Sequence, residues 1–129
     1  MLHATLPPTL SATIQRLGDA TVIHLTGRLV CGEGCSHLSD AVLNQSDAGM
    51  LVLNLAQVDG IDACGIGTLL RLQESVRSKG TVFKLMNAVD QVDRILLLTG
   101  LDHAFEFCSV RDQFCLMHRA ASLSEAAAA

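Results

Sequence analysis

The sequence predicts a single α/β domain whose elements follow the order β-β-α-β-α-β-α-β-α. Its length of 129 residues suits one domain with a buried core. Half of the residues are hydrophobic but only 3% are aromatic, so the core must be built from aliphatic side chains. This composition favours helices layered on a sheet. After an initial pair of strands, strand-like and helical segments alternate, which predicts a mixed sheet whose later strands are parallel.

The first three elements are a hairpin and a helix. The runs Ala12–Leu17 and Ala20–Leu25 flank Gly18-Asp19, and a two-residue turn that begins with glycine predicts antiparallel strands. Between Gly32 and Gly49, apolar or neutral side chains recur on one side at helical spacing, namely Cys35, Leu38, Val42 and Gln45. We expect a helix here, with Gly49 standing where a C-cap glycine would.

A central strand and a second helix come next. The run Leu51–Leu55 is apolar on both faces except for Asn54, as expected for a strand that is covered by helices. A short loop ending in Ile61-Asp62 should follow it. An amphipathic helix then extends from about Cys64 to Lys79, where basic residues and Gly80 predict its end.

The last third of the chain contains two more strands and two more helices. Thr81–Met86 is the next predicted strand. The pattern Asn87-x-x-Asp90 should open a helix that Gly100 closes. Its predicted inward side chains are Val89, Val92 and Leu96. Phe105–Cys108 is predicted as a short edge strand, and Ser109-x-x-Asp112 as the cap of the final helix.

Both ends of the chain differ in composition from the middle. Residues 1–11, with their Pro-Pro pair, are expected to form a flexible arm. The domain itself should span residues 12–121, followed by an alanine-rich tail over residues 122–129.

Composition argues against several classes of function. The net charge is −4, and nine basic residues spread along the chain supply no patch for nucleic acid. No apolar run approaches the ~20 residues that span a bilayer, and the first residues, which lack a basic stretch followed by an apolar one, are not expected to act as a secretory signal. Five cysteines, an odd number, fit a reducing compartment. We therefore expect a cytoplasmic protein that does not insert into membranes.

One segment is similar to the signature of a known family. Asp62-Ala63-Cys64-Gly65-Ile66-Gly67 resembles the Asp-Ser-Ser/Thr-Gly-Leu-Gly motif of STAS domains, found in bacterial anti-sigma-factor antagonists and in the tails of sulfate transporters. Further segments resemble the family in the same order, namely Gly27-Arg28-Leu29, Leu51–Leu55, Gly80–Met86, Val92–Leu96 and Leu98–Leu101. The resemblance covers about residues 13–120 and implies the same architecture as the element order.

The resemblance implies a binding protein rather than an enzyme. Antagonists of this family bind a kinase-type anti-sigma factor and thereby release a sigma factor. The kinase phosphorylates the hydroxyl that directly follows the aspartate, which ends binding. In this chain that position is Ala63, which cannot accept phosphate, and the acidic residue often found after Gly-x-Leu is replaced by Val30.

The expected partner-binding surface combines the motif with the loop that follows the second strand. Its residues are Leu29, Val30, Glu33, Ile61, Asp62, Ala63, Cys64, Gly65, Ile66 and Gly67. We expect Val30, Ile61, Ala63 and Ile66 to supply apolar contacts, and Asp62 to orient the helix cap. No catalytic residue is expected, a homodimer is compatible with this surface, and Thr68 should be structural.

Alternatives stay open at this stage. The chain could be regulated elsewhere, or serve as a scaffold or accessory subunit of a signalling or transporter complex. Cys64 could be a redox-sensing thiol, since a helix N-terminus favours the thiolate, although a small residue tucked beneath the first turn is the favoured interpretation.

Metal and cofactor sites are not expected. Cys31, Cys35 and His37 offer three ligands where structural zinc takes four. Gly65 and Gly67 lack the third glycine of a dinucleotide site, so we attribute both glycines to close packing of the loop and helix.

Overall fold

A four-stranded mixed sheet organises the computed structural model, which describes residues 10–45, 48–88 and 90–128. Its strands are β1 (Leu10–Leu17), β2 (Ala20–Leu29), β3 (Met50–Ile61) and β4 (Val82–Met86), in that spatial order. The predicted hairpin is confirmed, since β1 pairs antiparallel with β2 around Gly18-Asp19. The pairs β2–β3 and β3–β4 are parallel, as right-handed crossovers predict.

Helices cover both faces of the sheet. One face packs against α1 (Glu33–Leu43), α2 (Ala63–Ser78) and α3 (Asp90–Leu98), and this side holds the larger aliphatic core. A short 3-10 helix, Leu101–His103, follows α3. The other face packs against α4 (Val110–Ala128) through a smaller cluster centred on Leu116. No helix among the described residues combines the length and apolar character needed to cross a membrane.

Strand β3 is longer than the sequence indicated. It continues through the expected loop as far as Ile61, because β2 pairs with it up to Leu29↔Ile61. Two register shifts, between His24 and Thr26 and between Gly27 and Arg28, let this pairing continue. The extension carries the last residue of β3 directly to the start of α2.

Gly49 is not the C-cap of the first helix, because α1 ends at Leu43 with Asn44 as its C-cap. The N–H of Gly49 instead donates to the carbonyl of Asp19 at 2.9 Å, beside the hairpin turn. A Cβ at position 49 would overlap the carboxylate of Asp19, so the glycine allows this close approach.

The predicted edge strand Phe105–Cys108 is reduced to one parallel bridge between Leu85 and Phe107. Leu85 donates its N–H to Glu106 and accepts from the N–H of Cys108, both at 2.8 Å. The chain then turns at once into α4, so no longer ladder forms.

The third and fourth helices follow the predicted pattern. Val92 and Leu96 are fully buried, and Gly100 ends α3 in the left-handed conformation with φ 74°. Val89 lies outside the described residues, as do residues 1–9 of the arm predicted over residues 1–11. Leu10 and Ser11 were also assigned to that arm, but they belong to β1 because they pair with Gly27 and Thr26 of β2. Helix α4 continues through the alanine-rich segment to Ala128.

Candidate functional site

Helix α2 begins where β3 ends, and Asp62 caps it. Asp62 has extended backbone angles, φ −120° and ψ −177°, and its Oδ1 accepts a hydrogen bond from the N–H of Gly65 at 2.8 Å. This bond satisfies one of the free N–H groups of the first turn. The predicted capping role of Asp62 is confirmed.

The same carboxylate also holds a remote segment. Its Oδ2 accepts from the N–H of Cys31 at 3.0 Å, and the N–H of Asp62 donates to the carbonyl of Leu29 at 3.4 Å. Asp62 thus joins the loop after β2 to the first turn of α2. The N–H groups of Cys31 and then Gly65 lower the pKa of Asp62, so the carboxylate is ionised at neutral pH.

The two glycines of the motif differ in their surroundings. A Cβ at Gly65 would overlap the carbonyl oxygen of Leu29 and lie 3.0 Å from Cγ1 of Ile61. Gly65 therefore permits the contact between loop and helix, as predicted. A Cβ at Gly67 would meet no atom within 4 Å, so the same explanation is wrong for Gly67.

Burial divides the predicted surface into core and exposed residues. Leu29 is fully buried, and only 7% of Ile61 and 8% of Ile66 is exposed. The prediction that Ile61 and Ile66 contact a partner is therefore corrected, because both belong to the core that α2 shares with the sheet. Gly65 is buried as well.

The remaining predicted residues form what we call the joint surface. Glu33, Ala63 and Cys64 are exposed, and Val30, Asp62 and Gly67 are half-buried. Cys31, which was not among the predicted site residues, is also exposed and belongs to this surface because Asp62 holds its backbone. Its position directly after Val30, in the loop that the family resemblance placed beside Ala63, was the available signal for it.

The structure contradicts the favoured sequence interpretation of Cys64. Its side chain is exposed, so the favoured interpretation of a residue tucked beneath the first turn is wrong. The neighbouring thiol of Cys31 raises the pKa of Cys64 to about 11, and desolvation and the thiol of Cys35 add to the rise. This direction opposes the thiolate expected from the helix N-terminus.

The other candidate residues have local roles. Cys35 is buried and its thiol donates to the carbonyl of Val30 at 3.2 Å. The Nδ1 of His37 lies 3.0 Å from the carbonyl oxygen of Leu10 on β1, so this ring is engaged with the sheet edge. Within the described ranges, no three metal-binding side chains converge. Thr68 is buried and donates to the carbonyl of Cys64 at 2.9 Å, which confirms its structural role.

Sequence comparison gives a family match and a partial match to a curated relative. The model of the STAS domain matches residues 11–114. A Thermotoga maritima protein that carries the name of an anti-sigma factor antagonist is 35% identical over 52 residues, which are 40% of this chain and 46% of that protein. The matched segment thus spans just under half of that relative.

Solved structures share the fold. An anti-sigma factor antagonist from Mycobacterium paratuberculosis superposes with a TM-score of 0.71 at 20% identity, covering 89% of this chain and 97% of that one. The phosphorylated form of the Bacillus cell fate determinant SpoIIAA superposes with a TM-score of 0.60 at 14% identity, covering 81% and 96%. The family model covers most of the chain and the fold agrees with it, so the chain belongs to the STAS domain family.

Proposed function

We propose that this STAS domain regulates transcription as an anti-sigma-factor antagonist, by binding a kinase-type anti-sigma factor at the joint surface. The observation that carries the proposal is the pair of hydrogen bonds that the Asp62 carboxylate accepts. They hold an exposed loop against the exposed first turn of α2. The partial identity to the Thermotoga protein supports the same role. Such a partner acts in the cytoplasm, and we place the protein there.

The exposed part of this surface suits binding rather than catalysis. Ala63 and the half-buried Val30 offer small apolar contacts, whereas Glu33 and Asp62 offer acceptors near them. Small apolar groups can be desolvated at low cost in an interface core, and charged groups are better placed at its rim. We propose no reaction and no cofactor for this site.

Position 63 decides how the proposed binding is controlled. A phosphate on a hydroxyl there would add about 1.5–2 negative charges next to the carboxylate of Asp62. The methyl group of Ala63 cannot carry one. We therefore propose that this domain is not switched off by phosphorylation at the usual site and stays in its binding form.

The first test is a pull-down from the lysate of the source cells, comparing the wild-type protein with Ala63→Glu and Ala63→Gln. Position 63 is the first residue of α2, where an added carboxylate is compatible with the helix dipole and should leave the fold intact. We expect a kinase-type protein to be retained by wild type and by the neutral glutamine variant, and to be lost with glutamate. Retention of the same proteins by all three would contradict the proposal and favour a scaffold role.

A second variant tests the switch itself. Ala63→Ser restores a hydroxyl after Asp62, so the captured kinase should phosphorylate this variant and leave the wild type unmodified. Intact mass spectrometry after incubation with ATP measures the difference. Equal phosphorylation of both proteins would show that another residue is the acceptor.

A further inference from the structure

Two thiols meet at the joint surface. Cys31 lies in the loop after β2 and Cys64 is the second residue of α2, and both are exposed. Asp62 holds the two segments together, with 3.0 Å from its Oδ2 to the N of Cys31 and 2.8 Å from its Oδ1 to the N of Gly65, the residue after Cys64. One carboxylate thus holds the two segments that carry the thiols in contact, and the Cys31 thiol raises the pKa of Cys64.

The other cysteines are placed differently. Cys35 is buried and bonded to the carbonyl of Val30. Cys108 and Cys115 lie just before and within α4, on the opposite side of the sheet. Cys31 and Cys64 are therefore a pair that an oxidant can reach and that the backbone already holds side by side.

We propose that Cys31 and Cys64 form a reversible disulfide that regulates the joint surface. This proposal rests on the function proposed above, since it supplies a control that Ala63 cannot. The oxidant is a peroxide. One of the two thiols, as its thiolate, attacks the peroxide, the O–O bond breaks, and a sulfenic acid and an alcohol (or water) are formed. The other thiol, after loss of its proton, attacks the sulfenyl sulfur. The S–S bond forms, the S–O bond breaks, and the departing oxygen takes up a proton and leaves as water.

The disulfide would change the surface that a partner contacts. An S–S bond is about 2.05 Å long, so the two sulfurs must approach further than in the reduced pair. The loop at Cys31 would be drawn onto the first turn of α2, next to Ala63. We expect the oxidised form to bind the kinase-type partner about tenfold more weakly, which reduction by dithiothreitol should reverse.

Mass spectrometry of the full-length protein tests the bond directly. After treatment with hydrogen peroxide, three of the five thiols should remain reactive. Cleavage before aspartate separates residues 19–39, with Cys31 and Cys35, from residues 62–89, with Cys64. These two peptides should appear linked. The link should persist in Cys35→Ala and Cys115→Ser and disappear in Cys31→Ser.

Two outcomes would overturn the proposal. One is a protein in which Cys31 and Cys64 stay unlinked while peroxide oxidises the thiols singly. The other is a mapped Cys31–Cys64 bond that leaves binding to the purified partner unchanged. Failure of the proposed function gives a different result. The protein would then capture no kinase-type protein in either its reduced or its oxidised form.

Discussion

Helices α2 and α4 each have an aspartate at the N-terminal end that makes one local and one distant contact. Asp62 binds the N–H of Gly65 in its own helix and the N–H of Cys31 in another segment. Asp112 accepts from the N–H of Ser109 at 3.0 Å and from Nζ of Lys84 at 2.9 Å. In both cases the partners lower the pKa of the carboxyl group.

The distant partner gives the two helix starts different uses. Lys84 belongs to β4, so Asp112 docks α4 onto the sheet through an ion pair that is only 20% and 28% exposed. The distant partner of Asp62 is the backbone of an exposed loop, so this hydrogen bond fixes the position of a solvent-exposed surface and does not bury one. The same capping chemistry thus serves packing at α4 and presentation of the joint surface at α2.

The largest effect is expected from a substitution that breaks the contact between the loop after β2 and helix α2. Gly65→Ala forces the new methyl into the carbonyl of Leu29, and overpacking of this kind costs about 1–3 kcal/mol of the free energy of unfolding. Gly67→Ala, two residues on, is the matched control. It has open space and should be neutral or stabilising by up to about 1 kcal/mol, because alanine is the better helix former.

Urea unfolding of both glycine variants measures this difference. Equal unfolding free energies for the two variants would mean that the loop does not press against Gly65 in solution. The contact between the loop and α2 would then be less tightly packed than the contact between the start of α4 and the sheet.

A smaller effect is expected at α4. The Oγ of Ser109 accepts from the N–H of Asp112 at 3.0 Å, which completes a reciprocal capping box. Ser109→Ala should lower the free energy of unfolding by about 1 kcal/mol, as is usual for the loss of a serine cap. Ser36→Ala, at an exposed position inside α1, controls for serine removal and should change stability much less. If both substitutions cost the same, the box does not stabilise α4.

The smallest expected effect concerns pH. Because both carboxyl groups have folded pKa values below the ordinary 3.8, each contributes stability that is present above that value. This stability is lost as the pH falls through the lowered folded pKa. Asp62→Asn and Asp112→Asn should each reduce the loss of stability between neutral pH and pH about 3, and the double variant should reduce it further. If the free energy of unfolding falls with pH as steeply in both single variants as in the wild type, the hydrogen bonds described for the two carboxylates would be contradicted.

Local patterns predicted much of the molecule. The box at Ser109 and Asp112, the cap at Asp62 and the hairpin at Gly18-Asp19 all depend on residues within four positions of one another, and all are present. Contacts of this range are set by local side-chain chemistry and backbone preference, which a single sequence displays. Gly49 failed as a C-cap because its conformation is decided by Asp19, thirty positions earlier.

The sequence by itself determined the order of the elements, the family and the place of the motif at a strand–helix junction. The helical spacing of Ile66, Leu69 and Val76 already indicates that Ile66 faces the core, whereas the tertiary structure decided that Ile61 is buried and Cys64 is exposed. It also decided the length of β3 and the contact between the loop at Cys31 and the start of α2, because both depend on β2 bringing a segment thirty residues distant beside the junction. Distant contacts of this kind arise only once the sheet has formed, and they define the surface that we propose binds the partner.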